Sequence, residues 1–293
     1  MTTRQRILCA YSRRLTAVLI CVVLEIVCAG MVRADSAAQA MSSQNPQRPA
    51  TSERQASDDG FEVLPAAVLQ HVTRGGELAG QGRYDEAVEE FRTAIKVAGR
   101  PVFTAHLNMG SAFFNKQDFS HAVEAFRQAL AVRPNSFQAH YNLAEALYGA
   151  EDYAGAEKEY RRVLEFQSSL VTIRARHFLG LALYKQGRLD EAIIEYRAAI
   201  EQAEGKYAEA HYNLGIALLE RKQPKAAEQE FKLAIEQEKT AWPEAQYNLA
   251  KAIEEQKRFQ AAADAYEVYL KLVPNAADAK KMREYIDYLR RKK

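Results

Sequence analysis

The chain repeats itself at a nearly constant interval, and this periodicity limits its fold more than any other feature. The segments GRYDEAVEEFRTAI, QDFSHAVEAFRQAL, EDYAGAEKEYRRVL, GRLDEAIIEYRAAI, KQPKAAEQEFKLAI and KRFQAAADAYEVYL share one pattern. A central alanine is followed four positions later by an aromatic, and seven positions later by alanine or, once each, Val163 and Tyr269. The alanines are Ala87, Ala122, Ala156, Ala192, Ala227 and Ala262, spaced 35, 34, 36, 35 and 35 residues apart. A unit of this length cannot bury its own apolar face, so neighbouring copies must stack.

Upstream of these segments lies a second signature, clear in HLNMGSAFF, HYNLAEALY, HFLGLALY, HYNLGIALL and QYNLAKAIE. Both apolar patterns have a helical period, and a polar turn such as Lys185-Gln186-Gly187-Arg188 separates them. Each unit is therefore expected to be a helix hairpin. Composition agrees: 14 Gly and 8 Pro are few, and β-branched runs are nearly absent beyond the first 35 residues, which points to an all-α protein.

The array resembles the tetratricopeptide repeat family, whose unit of about 34 residues carries a large residue, Leu-Gly, Tyr, Ala, aromatic, Ala and Pro at set places. Leu-Gly appears as Met109-Gly110, Leu179-Gly180 and Leu214-Gly215, relaxes to Leu143-Ala144 and Leu249-Ala250, and is weakest as Arg74-Gly75. The terminal proline appears as Pro134 and Pro274. The resemblance implies a right-handed superhelical solenoid of six hairpins over 61–275, with repeats near 68–101, 103–136, 137–170, 173–206, 208–241 and 243–276. A capping helix is expected over 277–293, with Met282, Tyr285, Ile286 and Leu289 on one face. Its basic end, Arg290 to Lys293, reads first as cations complementing a helix C-terminus.

Ahead of the array, residues 15–32 form an apolar run interrupted only by Glu25, preceded by Arg4, Arg6, Arg13 and Arg14. Small residues follow at Val27-Cys28-Ala29 and Val32-Arg33-Ala34, so 1–34 reads as a signal peptide, with an uncleaved membrane anchor as the competing reading. A carboxylate in mid-segment favours cleavage. Either reading places the body beyond the inner membrane, periplasmic or secreted, or tethered by the anchor. Residues 35–60, rich in Ser, Gln, Ala and Pro, read as a disordered linker.

The leader also skews the charge. Removing its five arginines and one acid from the 40 basic and 38 acidic residues leaves 35 against 37, without the basic excess expected of a nucleic-acid binder. All three cysteines lie before residue 35. No His-Glu-x-x-His, phosphate loop or Gly-x-Ser-x-Gly is present, and no cofactor is expected. His71, His106, His140 and His211 occupy equivalent positions of different repeats, too far apart to share one metal ion. They are expected to pack.

The resemblance implies a protein or peptide ligand on a concave face lined by the first helices. Asn108, Asn142, Asn213 and Asn248 lie two residues before the Gly or Ala of that helix, with Thr73 and Phe178 breaking the series. A carboxamide offers both donor and acceptor to a peptide unit. Helices stacked about 8–10 Å apart would meet every third residue of an extended chain rising about 3.3 Å per residue. The series resembles the asparagine ladder in the repeat region of the O-linked N-acetylglucosamine transferase, whose catalytic domain has no counterpart here; the other reading is that asparagine is merely common at this position. Beside it run Tyr141, Tyr212 and Tyr247, with Phe114, Tyr148 and Tyr184 further on, part of them expected to pack between hairpins. Repeat four offers Arg174, His177 and Lys185, and repeats five and six offer Glu209, Glu220, Glu244, Glu254 and Glu255, which suggests a ligand acidic near repeat four and basic beyond it. The cations needed by the family's clamp for a terminal carboxylate do not assemble here. Two further readings stay open: an accessory subunit of a separate enzyme, and homo-oligomeric assembly through the outer faces.

Overall fold

A computed structural model describes residues 62–166, 169–238 and 241–292. The expected leader at 1–34 and linker at 35–60 lie outside the described residues. The described residues form thirteen helices and no strand. They pair as α1 (Ala66–Gly80) with α2 (Tyr84–Ala98), α3 (Phe103–Asn115) with α4 (Phe119–Val132), and α5 (Phe137–Gly149) with α6 (Tyr153–Leu164). Then come α7 (Ser169–Lys185) with α8 (Leu189–Gln202), α9 (Ala208–Glu220) with α10 (Pro224–Gln237), and α11 (Pro243–Glu255) with α12 (Phe259–Leu272). A thirteenth helix, α13 (Ala279–Arg291), packs on α12. Each second helix also packs on the following first helix, so the fold is the expected solenoid of six hairpins with a terminal cap.

The repeated residues explain the pairing. All six central alanines are fully buried, and the aromatics four residues on are buried with them. The small residue of the first helix admits that ring. A Cβ built on Gly215 would stand 2.7 Å from the Phe231 ring, and one on Gly75 only 2.5 Å from Phe91. The weakest copy of the Leu-Gly pair thus keeps its mechanical role. Between the two helices of each hairpin one residue adopts a left-handed backbone: Gly82, Gln117, Glu151, Gly187, Lys222 and Lys257, with φ from 59° to 77°. In five of these turns the next amide bonds back to the carbonyl five residues earlier, as Asp118 N–H does to Phe113 at 2.9 Å, which closes the helix end.

Polar latches add specificity to the apolar stacking. Glu157 on α6 is buried and accepts from Gln186 at 2.9 Å and Arg188 at 2.6 Å in the next hairpin's turn. Glu228 on α10 does the same with Gln256 at 2.7 Å and Arg258 at 2.6 Å. The equivalent positions elsewhere are Val88, Val123, Ile193 and Ala263. Burial would raise the Glu157 carboxyl, but the bonds from Gln186 and Arg188 outweigh it and hold the group below its ordinary range. At the N-terminal end, Glu62 reaches forward to accept from the Thr104 amide at 3.1 Å and its hydroxyl at 3.0 Å, capping α3 from outside the hairpin. None of the described helices is long and apolar enough to cross a membrane.

Candidate functional site: the first-helix face

First helices touch the next first helix, α1 with α3, α3 with α5, α7 with α9 and α9 with α11, and no pair of second helices approaches to the same extent. The stack therefore bends toward the first helices, and the asparagines lie where successive first helices meet. Two of the four are engaged there. Asn213 is buried and its Nδ2 donates to His177 Nε2 at 2.8 Å, and Asn248 Nδ2 donates to the Tyr212 hydroxyl at 3.0 Å. Asn108 and Asn142 are half-buried and make no hydrogen bond within the described residues.

The difference follows from what each asparagine meets in the preceding repeat. The position one residue before the asparagine, taken from the previous copy, is His177 for Asn213 and Tyr212 for Asn248, both with polar side-chain atoms. For Asn142 it is Leu107, and for Asn108 it is Val72. Apolar neighbours leave those two carboxamides their full bonding capacity.

His177 is 2% exposed, so it presents no charge to a ligand. Its Nε2 accepts from Asn213, which puts the proton on Nδ1, 2.9 Å from the Tyr207 hydroxyl oxygen. Burial, with Arg174 nearby, pushes the imidazole down to about 3. A buried carboxylate lies close to the same arginine. Glu145 is 7% exposed and accepts the Tyr141 hydroxyl at 3.1 Å. Burial pushes it up to about 7, against the opposing pull of Arg174 and Tyr141. The half-buried Arg174 guanidinium lies 5.8 Å from the Tyr141 ring centroid. Tyr160, fully buried between Tyr141 and Phe178, has a hydroxyl without a hydrogen-bond partner.

The remaining expected residues divide by their packing. Tyr212 is buried against Phe231 and Trp242. Phe114 and Tyr148 are half-buried, each edge-on to the first residue of the partner helix, Phe119 and Tyr153. The Tyr184 hydroxyl donates to Glu220 of the next repeat. Lys185 is exposed, and Tyr247 is 38% exposed with its ring against Tyr266 and Tyr269.

The histidine row has a role that reading for packing missed. His71, His140 and His211 meet Glu90, Glu159 and Glu230 at 2.6–2.7 Å, each 19 residues on in its own hairpin. Repeat four places Arg176 and Glu195 there, 3.0 Å apart. Repeats two and six replace the glutamate by Ala125 and Ala265. His106 accordingly leaves Nδ1 buried without a partner. The signal was present in the sequence, as a basic residue followed 19 positions later by glutamate in repeats one, three, four and five.

A model of the tetratricopeptide repeat matches the chain four times, over residues 73–120, 107–169, 179–244 and 234–277. The chain belongs to the tetratricopeptide repeat family. Solved structures share its fold at low identity. MamA from Desulfovibrio magneticus RS-1 is 22% identical with a TM-score of 0.56, covering 60% of this chain and 97% of that one. PilF from Pseudomonas aeruginosa is 16% identical with a TM-score of 0.61, covering 75% and 97%. PilW, described as a widely conserved type IV pilus biogenesis factor, is 18% identical with a TM-score of 0.64, covering 74% and 98%. No curated protein matches the chain.

Proposed function

We propose that this tetratricopeptide protein is a non-catalytic scaffold that holds an extended segment of another protein along its first-helix face, on the far side of the inner membrane. The observation that carries the proposal is the pair Asn108 and Asn142: half-exposed carboxamides at equivalent positions of adjacent repeats, with no partner among the described residues. Two such groups one helix spacing apart suit peptide units three residues apart. The contact is with main chain, so it selects for an extended conformation more than for a sequence. Asn213 and Asn248 instead tie repeat to repeat, which confines the expected ladder to repeats two and three. Arg174, beyond Asn142, supplies a cation for an acidic ligand residue. The envelope setting rests on the basic and apolar leader, and among similar folds one is described as a pilus biogenesis factor.

The test is capture of partners from an envelope fraction by the full chain. Asn108→Ala with Asn142→Ala should lose the captured segment while melting at the wild-type temperature. Asn213→Ala with Asn248→Ala should retain capture and melt lower. Equal recovery by the first variant and the wild type would refute the ladder. Light scattering on the same samples reads the competing assembly through the outer faces, where Ile194 and Leu233 are exposed.

A further inference from the structure

The C-terminal end of the first-helix face holds a pocket of a different character. Helices α11, α12 and α13 enclose about 360 Å³ lined by Tyr247, Lys251, Glu254, Glu255, Tyr266, Met282 and Tyr285. Three of its walls are phenol rings in an edge-to-face series, with centroids 5.5 Å apart for Tyr247 and Tyr266 and 5.9 Å apart for Tyr266 and Tyr285. Tyr247 and Tyr285 are each more than a third exposed, so both rings remain open to a ligand. The hydroxyls of Tyr266 and Tyr285 both donate to Glu254, one to each carboxylate oxygen, which fixes the rings. Glu255 is exposed and has no partner among the described residues.

Ring faces carry negative potential, and beside carboxylates they bind cations. We propose that this pocket receives an arginine side chain of the bound segment, its guanidinium between the Tyr247 and Tyr285 rings and paired with Glu255. The proposal rests on the reading that the first-helix face takes an extended segment, and it adds a specificity site to that face. A guanidinium suits these walls better than an ammonium because it is planar, stacks on rings and is less strongly hydrated. The same chain already sets cations against rings elsewhere, as with Arg133 at 4.4 Å from the Phe103 centroid. Two cations of α13 and the residue after it are engaged elsewhere: Arg290 pairs with Glu267 at 2.5 Å, and Lys292 lies 4.4 Å from the Phe259 centroid. Lys251 is the one cation in the lining and opposes the ligand.

Titration of the full chain, carrying ring-labelled tyrosine, with Nα-acetylarginine amide tests the site by NMR. Saturable shifts of the Tyr247 and Tyr285 rings are expected. Glu255→Gln should weaken binding about twofold to fivefold, and Lys251→Met should strengthen it by a similar factor. Both positions are exposed, so neither change threatens the fold; Tyr247→Leu should abolish saturation. The probe is too small to reach repeats two and three, so Asn108→Ala with Asn142→Ala should leave its affinity unchanged, and failure of the ladder is read separately. Absence of a saturable shift, equal affinity in Glu255→Gln, or equal binding of Nα-acetyllysine amide would overturn the proposal.

Discussion

Two buried titratable groups near Arg174 should give this solenoid an unusual dependence on pH. His177 stands at about 3 in the folded chain against an ordinary 6.5. Its contribution is complete above pH 6.5 and is lost as pH falls toward 3, because the unfolded chain takes up the proton first. The full difference is about 5 kcal/mol, with about 3 kcal/mol of it lost by pH 4.5. Glu145 works the other way. It stands at about 7 against an ordinary 4.5, so its contribution is complete below pH 4.5 and is lost as pH rises through 7, about 3 kcal/mol in all. Between pH 6.5 and 4.5 the two effects nearly cancel, and below 4.5 only the histidine loss continues. Urea midpoints read by circular dichroism should therefore stay nearly flat for this pair over the upper window. Glu145→Gln removes the compensating gain, so its stability should fall by about 3 kcal/mol relative to wild type as pH drops from 7 to 4.5. His177→Gln should show the opposite trend against wild type. Burial pushes Tyr141 and Tyr160 further up, and Arg174, despite its burial, is raised by Tyr141 and Glu145, so these three neighbours add no slope of their own. Parallel pH profiles for Glu145→Gln and wild type would refute the reasoning.

Three further outcomes follow from the packing. Gly215→Ala drives a methyl against the buried Phe231 ring, yet repeats three and six carry Ala144 and Ala250 there, so the ring should shift and thermal melts should report a loss of about 1–2 kcal/mol. Replacing Gln117, Glu151, Lys222 and Lys257 by glycine removes left-handed strain of about 1–2 kcal/mol each against a glycine entropy cost of about 0.5–1 kcal/mol, so the melting temperature should rise. Glu157→Ala leaves Gln186 without its carboxylate and should cost about 2 kcal/mol, whereas Glu157→Val, the type of residue other repeats use, should cost less; hydrogen exchange across α6 and α7 separates them.

The repeat was legible because its residues act alike in every copy: alanine, ring and small residue meet within one hairpin, so sequence spacing alone reports the contact. The fate of each asparagine was not legible from its own position. Asn108 and Asn213 look identical within their repeats, and only the residue facing them from the previous copy, Val72 or His177, decides whether the carboxamide is free. The same holds for His177, whose cation was expected to serve a ligand. Burial against Tyr207 and Asn213 leaves it neutral, and burial is set by neighbours some 30 residues away. The tyrosine pocket escaped notice because Tyr285 belongs to the cap while Tyr247 belongs to the last repeat.

The central claim is that a partner lies along the first helices of repeats two and three. A photo-crosslinking amino acid placed at Asn108 or Asn142, against one placed at Glu124 or Lys158 on the exposed side of the second helices, tests it directly. The account predicts adducts with one captured protein from the first pair of positions and none from the second. Adducts formed only from Glu124 or Lys158 would contradict it.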